Sequence, residues 1–277
     1  MIKILLGTLT LLCTFQSFSQ ESKHLSKADT LLINRYFDSL NVCTLYSQKR
    51  QKYLDSALFL MPENSYLWQQ KAMPLFKQKK YEVGMVFLDS AVKHGKTNEW
   101  QEYRGFIKCI FQKNYSGAIA DLQFVKNNNE NGITMDHSFN FYIGLSYLQL
   151  DKFDSACTYF QKSIDFGEKN WGNGHFLEYF YLGITKMEME DYENGIVNFD
   201  KSLKLFSHFS DAKYYKAACL NSMKRYNDAL DLLNNSLDDL KQGYTINEDN
   251  VLYEDYPYQI KIRYIESFIK KLKDRTK

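Results

Sequence analysis

"FYIGLSYLQLDKFDSACTYFQKSIDFG" (residues 141–167) is too apolar for a loop, and it carries Gly144 inside what otherwise reads as a helix. Thirty-nine residues later the chain nearly repeats itself as "FYLGITKMEMEDYENGIVNFDKSLKLF" (180–206), with Gly183 at the same place. Glycine in mid-helix costs about 0.5–1 kcal/mol relative to alanine. A cost met twice at one position needs compensation, and close backbone packing supplies it.

Aligning the chain on an aromatic followed three residues later by Gly or Ala yields five units: Tyr81/Gly84, Tyr115/Ala118, Phe153/Ala156, Tyr192/Gly195 and Tyr226/Ala229. The aromatics are 34, 38, 39 and 34 residues apart. Four residues past each small residue stands Leu88, Leu122, Phe160, Phe199 or Leu233, and three further on Ala91, Val125, Ser163, Ser202 or Ser236. Nine residues before each aromatic is a second position, held by Ala72, Phe106, Gly144, Gly183 and Ala217. Two antiparallel helices per unit can approach to about 8–10 Å only where facing side chains are small. The glycines Gly84, Gly144, Gly183 and Gly195 are therefore expected at tight helix crossings, as packing positions rather than a chemical site.

The period, the two helices per unit and the small residues at both crossings resemble tetratricopeptide repeats (TPRs). The resemblance covers about 65–243 and implies an all-α solenoid of five full units: 65–98, 99–132, 137–170, 176–209 and 210–243. A degenerate N-terminal helical pair is expected within 20–64, with Asp29 as N-cap and Pro62 ending its second helix. The inserts "NENGITMD" (129–136) and "EKNWGNGH" (168–175) are expected to be loops, with no strand anywhere in 65–240. The stretch 241–254 reads as a solvated polar linker. A C-terminal capping helix, opened by Asp255 and Pro257, is expected within 244–277. Phe106 departs from the pattern, with Gly105 adjacent, which predicts a small shift of that unit. Pro74 lies within a first helix and removes a hydrogen bond there.

The chain opens "MIKILLGTLTLLCTFQSFSQE": a cation at Lys3, an apolar stretch from Ile4 to Phe15, then Ser17-Phe18-Ser19. That layout predicts a cleavable secretory signal over 1–19, cut near Ser19 or Gln20, and an exported, periplasmic or secreted protein without a transmembrane anchor. Leu11 and Leu12 before Cys13 disfavour lipoprotein processing. Removing the signal takes the net charge from +2 to +1, which argues against a nucleic-acid partner. Only three prolines and 16 % aromatics favour a helical protein with a real core. The usage of Lys, Asn, Ile and Tyr, with a signal ending in "FSQ", resembles secreted proteins of Bacteroidota.

No motif for catalysis or a cofactor emerges. His24, His94, His137, His175 and His208 are scattered, with no i, i+4 pair and no Cys-x-x-Cys, so no metal site is expected. Cys43, Cys109, Cys157 and Cys219 fall in different units and are expected to be unpaired and mostly buried. "HGKTN" (94–98) lacks the earlier glycine of a phosphate loop, and Gly95 reads as a helix C-cap. "NEDN" (247–250) lacks the alternating carboxylates of a calcium loop. The basic "KKLKDRTK" (270–277) reads as the charged face of a capping helix.

In TPR proteins the first helix of each unit lines a concave surface. Carried over, the resemblance implies a groove lined by Tyr66, Gln69, Phe76, Trp100, Tyr103, Phe141, Phe180, Met187 and Tyr214. The Lys and Asn that clamp a carboxylate terminus in some TPRs are absent, since Met73, Ile107, Leu145, Ile184 and Ala218 stand at one of those positions. An aromatic row suits an extended peptide or amphipathic helix. The expected function is a non-enzymatic scaffold or adaptor for a protein or peptide partner, such as another envelope protein. Glycan or small-ligand binding by the same row, a dispersed enzyme site, and internal coverage of the row by the C-terminal segment are the alternatives.

Overall fold

Side chains set the helix starts in the N-terminal pair. The computed structural model describes residues 26–275; the expected signal, Cys13 and His24 lie outside the described residues. Helix α1 (Lys27–Val42) begins at Ser26, whose Oγ accepts from the Asp29 N–H at 3.1 Å while its own N–H donates to the Asp29 carboxylate at 3.0 Å. Ser26 is thus the cap, and Asp29 completes a capping box three residues in. Helix α2 (Gln48–Leu60) starts at Ser47 and stops at Met61, directly before Pro62.

Five further hairpins follow. They are α3 (Ser65–Lys77) with α4 (Tyr81–His94), α5 (Glu99–Ile110) with α6 (Tyr115–Asn128), and α7 (Phe139–Leu148) with α8 (Phe153–Trp171). Then come α9 (Phe176–Glu188) with α10 (Tyr192–Leu205) and α11 (Ser210–Ser222) with α12 (Tyr226–Lys241). Each repeat aromatic begins a second helix. Ala118, Ala156 and Ala229 are fully buried. A methyl group on Gly183 would stand 2.8 Å from the Phe199 ring, and one on Gly84 would stand 2.6 Å from Phe76. These glycines admit a buried aromatic from the partner helix, and that packing offsets their helix cost. Gly195 is different: its nearest neighbours would lie 3.4 Å away, so no tight crossing requires it. In the α5–α6 hairpin Gly105 takes the close contact, since a methyl group there would stand 2.6 Å from Leu122, and Phe106 turns into the core against Phe111 and Tyr142.

The turn inside each of these five hairpins uses one backbone device. Lys79, Lys113, Asp151, Glu190 and Lys224, each two residues before its aromatic, adopt positive φ between 56° and 62°. In four of them the next residue's N–H reaches back five positions, as Lys80 does to Leu75 at 2.9 Å. That is a left-handed helix end closed without glycine.

Four expectations need correction. The first insert is not wholly loop, because Ile133–Thr134 and His137–Ser138 pair as a two-residue antiparallel hairpin, β1 and β2. Met135 and Asp136 between them both have positive φ, at 45° and 69°, which matches the twist of such a tight turn. The first half of the second insert is helix, since α8 runs on to Trp171 and ends at Gly172 with φ 82°. Helix α13 (Ile262–Arg275) opens later than Asp255 and Pro257, and buries Ile265, Ile269 and Leu272 against the α11–α12 hairpin. Most consequentially, the presumed solvated linker folds back across the solenoid's inner face.

Candidate interaction site

Residues 244–261 form a strap with a single 3-10 turn at Asp249–Leu252. It leaves the end of α12, crosses to the ends of α3 and α5, and returns to the start of α11. Asp211 pins both of its ends: one carboxylate oxygen accepts from Thr245 Oγ1 at 2.7 Å, the other from the Ile260 N–H at 2.9 Å. The group is fully enclosed, and that burial pushes its pKa up to about 6 against the hydrogen bonds that favour the charge.

Between those pins the strap is held by side chains from several first helices and from the turns that follow them. Tyr181 Oη donates to the Pro257 carbonyl at 3.0 Å, and Tyr258 Oη donates to Glu188 at 3.0 Å. The Tyr215 and Tyr258 rings meet edge-on, 5.7 Å apart. Ile246, Tyr256 and Ile260 are buried. Lys77 lies over the Tyr253 ring at 4.4 Å. Glu254 accepts from Tyr81 Oη and sits 3.4 Å from Lys79 and 4.0 Å from Lys113.

A second polar cluster lies where the strap passes α7. His137 Nε2 is 3.2 Å from Glu248, its ring stacks on Phe141 at 4.1 Å, and His175 meets it edge-on at 4.9 Å. Burial and the neighbouring His137 lower the His175 pKa to about 4. For Glu248 burial opposes the charge, but the His137 contact outweighs it and holds the carboxylate below its ordinary value. Beside them Glu178, buried, accepts from the His175 N–H at 2.8 Å and from Ser163 Oγ, and Ser163 in turn meets Ser138 at 2.6 Å. Among the described residues no cluster of three or more His, Cys, Asp or Glu is placed to hold a metal ion.

The nine groove residues expected from sequence do not share one surface. Phe141 and Phe180 are fully buried inside their own hairpins, against Phe160 and Phe199. Phe76 is buried beneath Gly84, and Gln69 is buried beside Gln70. Tyr214 stacks edge-on to Phe268 of α13 at 5.7 Å. Trp100, Tyr103 and Met187 are half-buried, and Tyr66 is exposed. Beside Phe180 and Tyr214, it is the next residue along that touches the strap, Tyr181 and Tyr215, with Tyr142 buried close by. The doublets Phe141–Tyr142, Phe180–Tyr181 and Tyr214–Tyr215 recur at one repeat position, and that recurrence is the signal that marks them. Phe141 and Phe180 fill their hairpins while Tyr214 packs on α13, and the second of each pair reaches the inner face.

No protein-family model matches the sequence, and no curated protein matches it. Solved structures do. One is a tetratricopeptide repeat protein from Parabacteroides merdae, 14 % identical with a TM-score of 0.60 over 88 % of this chain and 98 % of that one. PilW, a widely conserved type IV pilus biogenesis factor, aligns at 12 % identity and a TM-score of 0.61, over 78 % of this chain and 96 % of its own. YrrB, described as a TPR protein with an unusual peptide-binding site, aligns at 15 % and 0.50, over 72 % of this chain and 95 % of its own. The fold is a tetratricopeptide-repeat solenoid. In this TPR solenoid the inner face is occupied by the strap. Among the described residues no helix is long and apolar enough to cross a membrane.

Proposed function

We propose that this TPR chain is a non-enzymatic scaffold that holds a peptide or protein partner along its inner face. One observation carries the proposal: eighteen residues of chain (244–261), with one 3-10 turn, already lie on that face, held by side chains from α3, α4, β2, α9 and α11. A surface built to hold extended chain in cis has the aromatic rings and hydrogen-bonding groups needed to hold it in trans. The peptide-binding site attributed to YrrB belongs to the same class of interaction.

In this proposal Tyr66, Trp100 and Tyr103, at the end of the face away from α13, are the contact residues for the partner. Export follows from the signal-like segment 1–19, and it makes another envelope protein the natural partner.

The double variant Tyr66→Ala, Trp100→Ala tests this by crosslinking and partner capture in native cells. Loss of the captured protein at an unchanged melting temperature supports the scaffold. Undiminished capture overturns it.

A further inference from the structure

Glu254 occupies a seat made by other parts of the chain. Tyr81 opens α4, whereas Lys79 and Lys113 are the left-handed residues that close α3 and α5. Lys113 also donates to the Asp255 carbonyl at 2.8 Å. The seat opens to solvent, since the Lys79 side chain is 62 % exposed while Glu254 is 15 % exposed. The strap's tip beside it is loosely covered, with Leu252 at 84 % exposure. Charge and hydrogen bonding hold this outer half, whereas burial holds the ends near Asp211.

A carboxylate preceded by an aromatic, with lysines on both, is a recognition pattern that any acidic, tyrosine-bearing segment satisfies. We propose that the Lys79–Lys113–Tyr81 seat binds a Tyr-Glu segment of the partner protein, and that Glu254 fills it in the unbound state. The strap's outer half is then a resident competitor, and a partner must displace it to dock. This inference rests on the scaffold proposal and names the chemistry of its ligand.

The test uses the full chain and a fluorescent synthetic peptide with the sequence of residues 248–258. In Glu254→Lys, an ammonium group facing Lys79 and Lys113 expels the tip and leaves the seat free. The peptide is expected to bind this variant at least tenfold more tightly than wild type. The same peptide carrying Gln for Glu254 is expected to bind at least tenfold more weakly, and salt should weaken the parent peptide. Equal affinity for both chains, no binding to a variant of unchanged melting temperature, or dimerisation of the variant through swapped straps overturns the proposal.

Hydrogen exchange on wild type needs no variant. Amides of 251–256 should exchange through an opening that leaves α7 and α9 protected; exchange only together with α9 overturns it. Partner capture through Tyr66 and Trp100, alongside a Glu254→Lys chain that ignores the peptide, removes this inference alone. The reverse pattern removes the scaffold proposal's contact residues and leaves the seat.

Discussion

The Asp211 carboxylate accepts the Ile260 backbone N–H at 2.9 Å, across 49 positions of sequence. Its second oxygen takes Thr245 at 2.7 Å, so one side chain closes both ends of the strap. Asp211→Ala would leave the buried Ile260 N–H and the half-buried Thr245 hydroxyl without this partner. The expected cost is about 2–4 kcal/mol in urea unfolding, with faster hydrogen exchange across 245–260. Unchanged stability would show that the strap ends are held by packing alone.

Asp211 also predicts a pH dependence of unusual sign for a carboxylate. Its pKa is about 6 in the folded protein, against an ordinary value of 3.8, so the folded state binds this proton more tightly than the unfolded state. Its contribution is present in full below the ordinary value and is lost as pH rises through about 6. His175 works in the opposite direction: lowered from 6.5 to about 4, it withdraws stability as pH falls through that window. The two oppose each other between pH 4 and 6. Comparing wild type with Asp211→Asn isolates the first. Wild type should lose at most about 3 kcal/mol relative to the variant between pH 4 and 7; a gain would contradict the assignment.

The repeat glycines separate into two kinds. Gly183→Ala pushes a methyl into the buried Phe199 ring and should cost about 1–3 kcal/mol. Gly195→Ala meets only ordinary contacts and should gain about 0.5–1 kcal/mol from helix propensity. Chemical denaturation of the two single variants checks both signs.

Left-handed residues that are not glycine carry strain of about 1 kcal/mol each. Glu190 and Lys224 have φ of 60° and 62°, are exposed, and lie outside the Glu254 seat. Glu190→Gly and Lys224→Gly should therefore each raise the melting temperature by about 2–4 °C. A fall would mean that their side chains stabilise the turn by more than the backbone strain.

The four cysteines of the described residues are free, two buried and two half-buried. Burial pushes the Cys109 and Cys219 thiols up to about 12. Maleimide should label Cys43 and Cys157 in the native protein, and Cys109 and Cys219 only after unfolding. Mass spectrometry of the labelled peptides distinguishes these sites.

The helical hairpins were legible because their determinants are local. Tyr192, three residues before Gly195, and Phe199 four residues after it occupy successive turns of one helix, and Gly183 lies one turn-crossing away. The strap was legible only as an alternative, coverage of the row by the C-terminal segment, and its residues and contacts were not. "YTINEDNVLYEDYPYQIK" carries four acids, two asparagines and a proline, and reads as solvated linker to 254 and the opening of a capping helix beyond it until Tyr181, Asp211 and Lys113 are known to surround it. Those partners lie between 49 and 142 positions away in the chain. The His137–His175 contact was hidden likewise, since only the folded chain brings β2 and the start of α9 together.

The order of residues alone determined that this protein is all-α, that its helices pair, and most of the small side chains that sit where pairs cross. A helix face and a tight crossing depend on neighbours three or four residues apart, so composition and period suffice to write them. Whether the inner face stands open or filled was decided only by the folded solenoid. The curvature of stacked hairpins brings the start of α11 and the ends of α3 and α5 within reach of one short segment, and no local pattern encodes that distance.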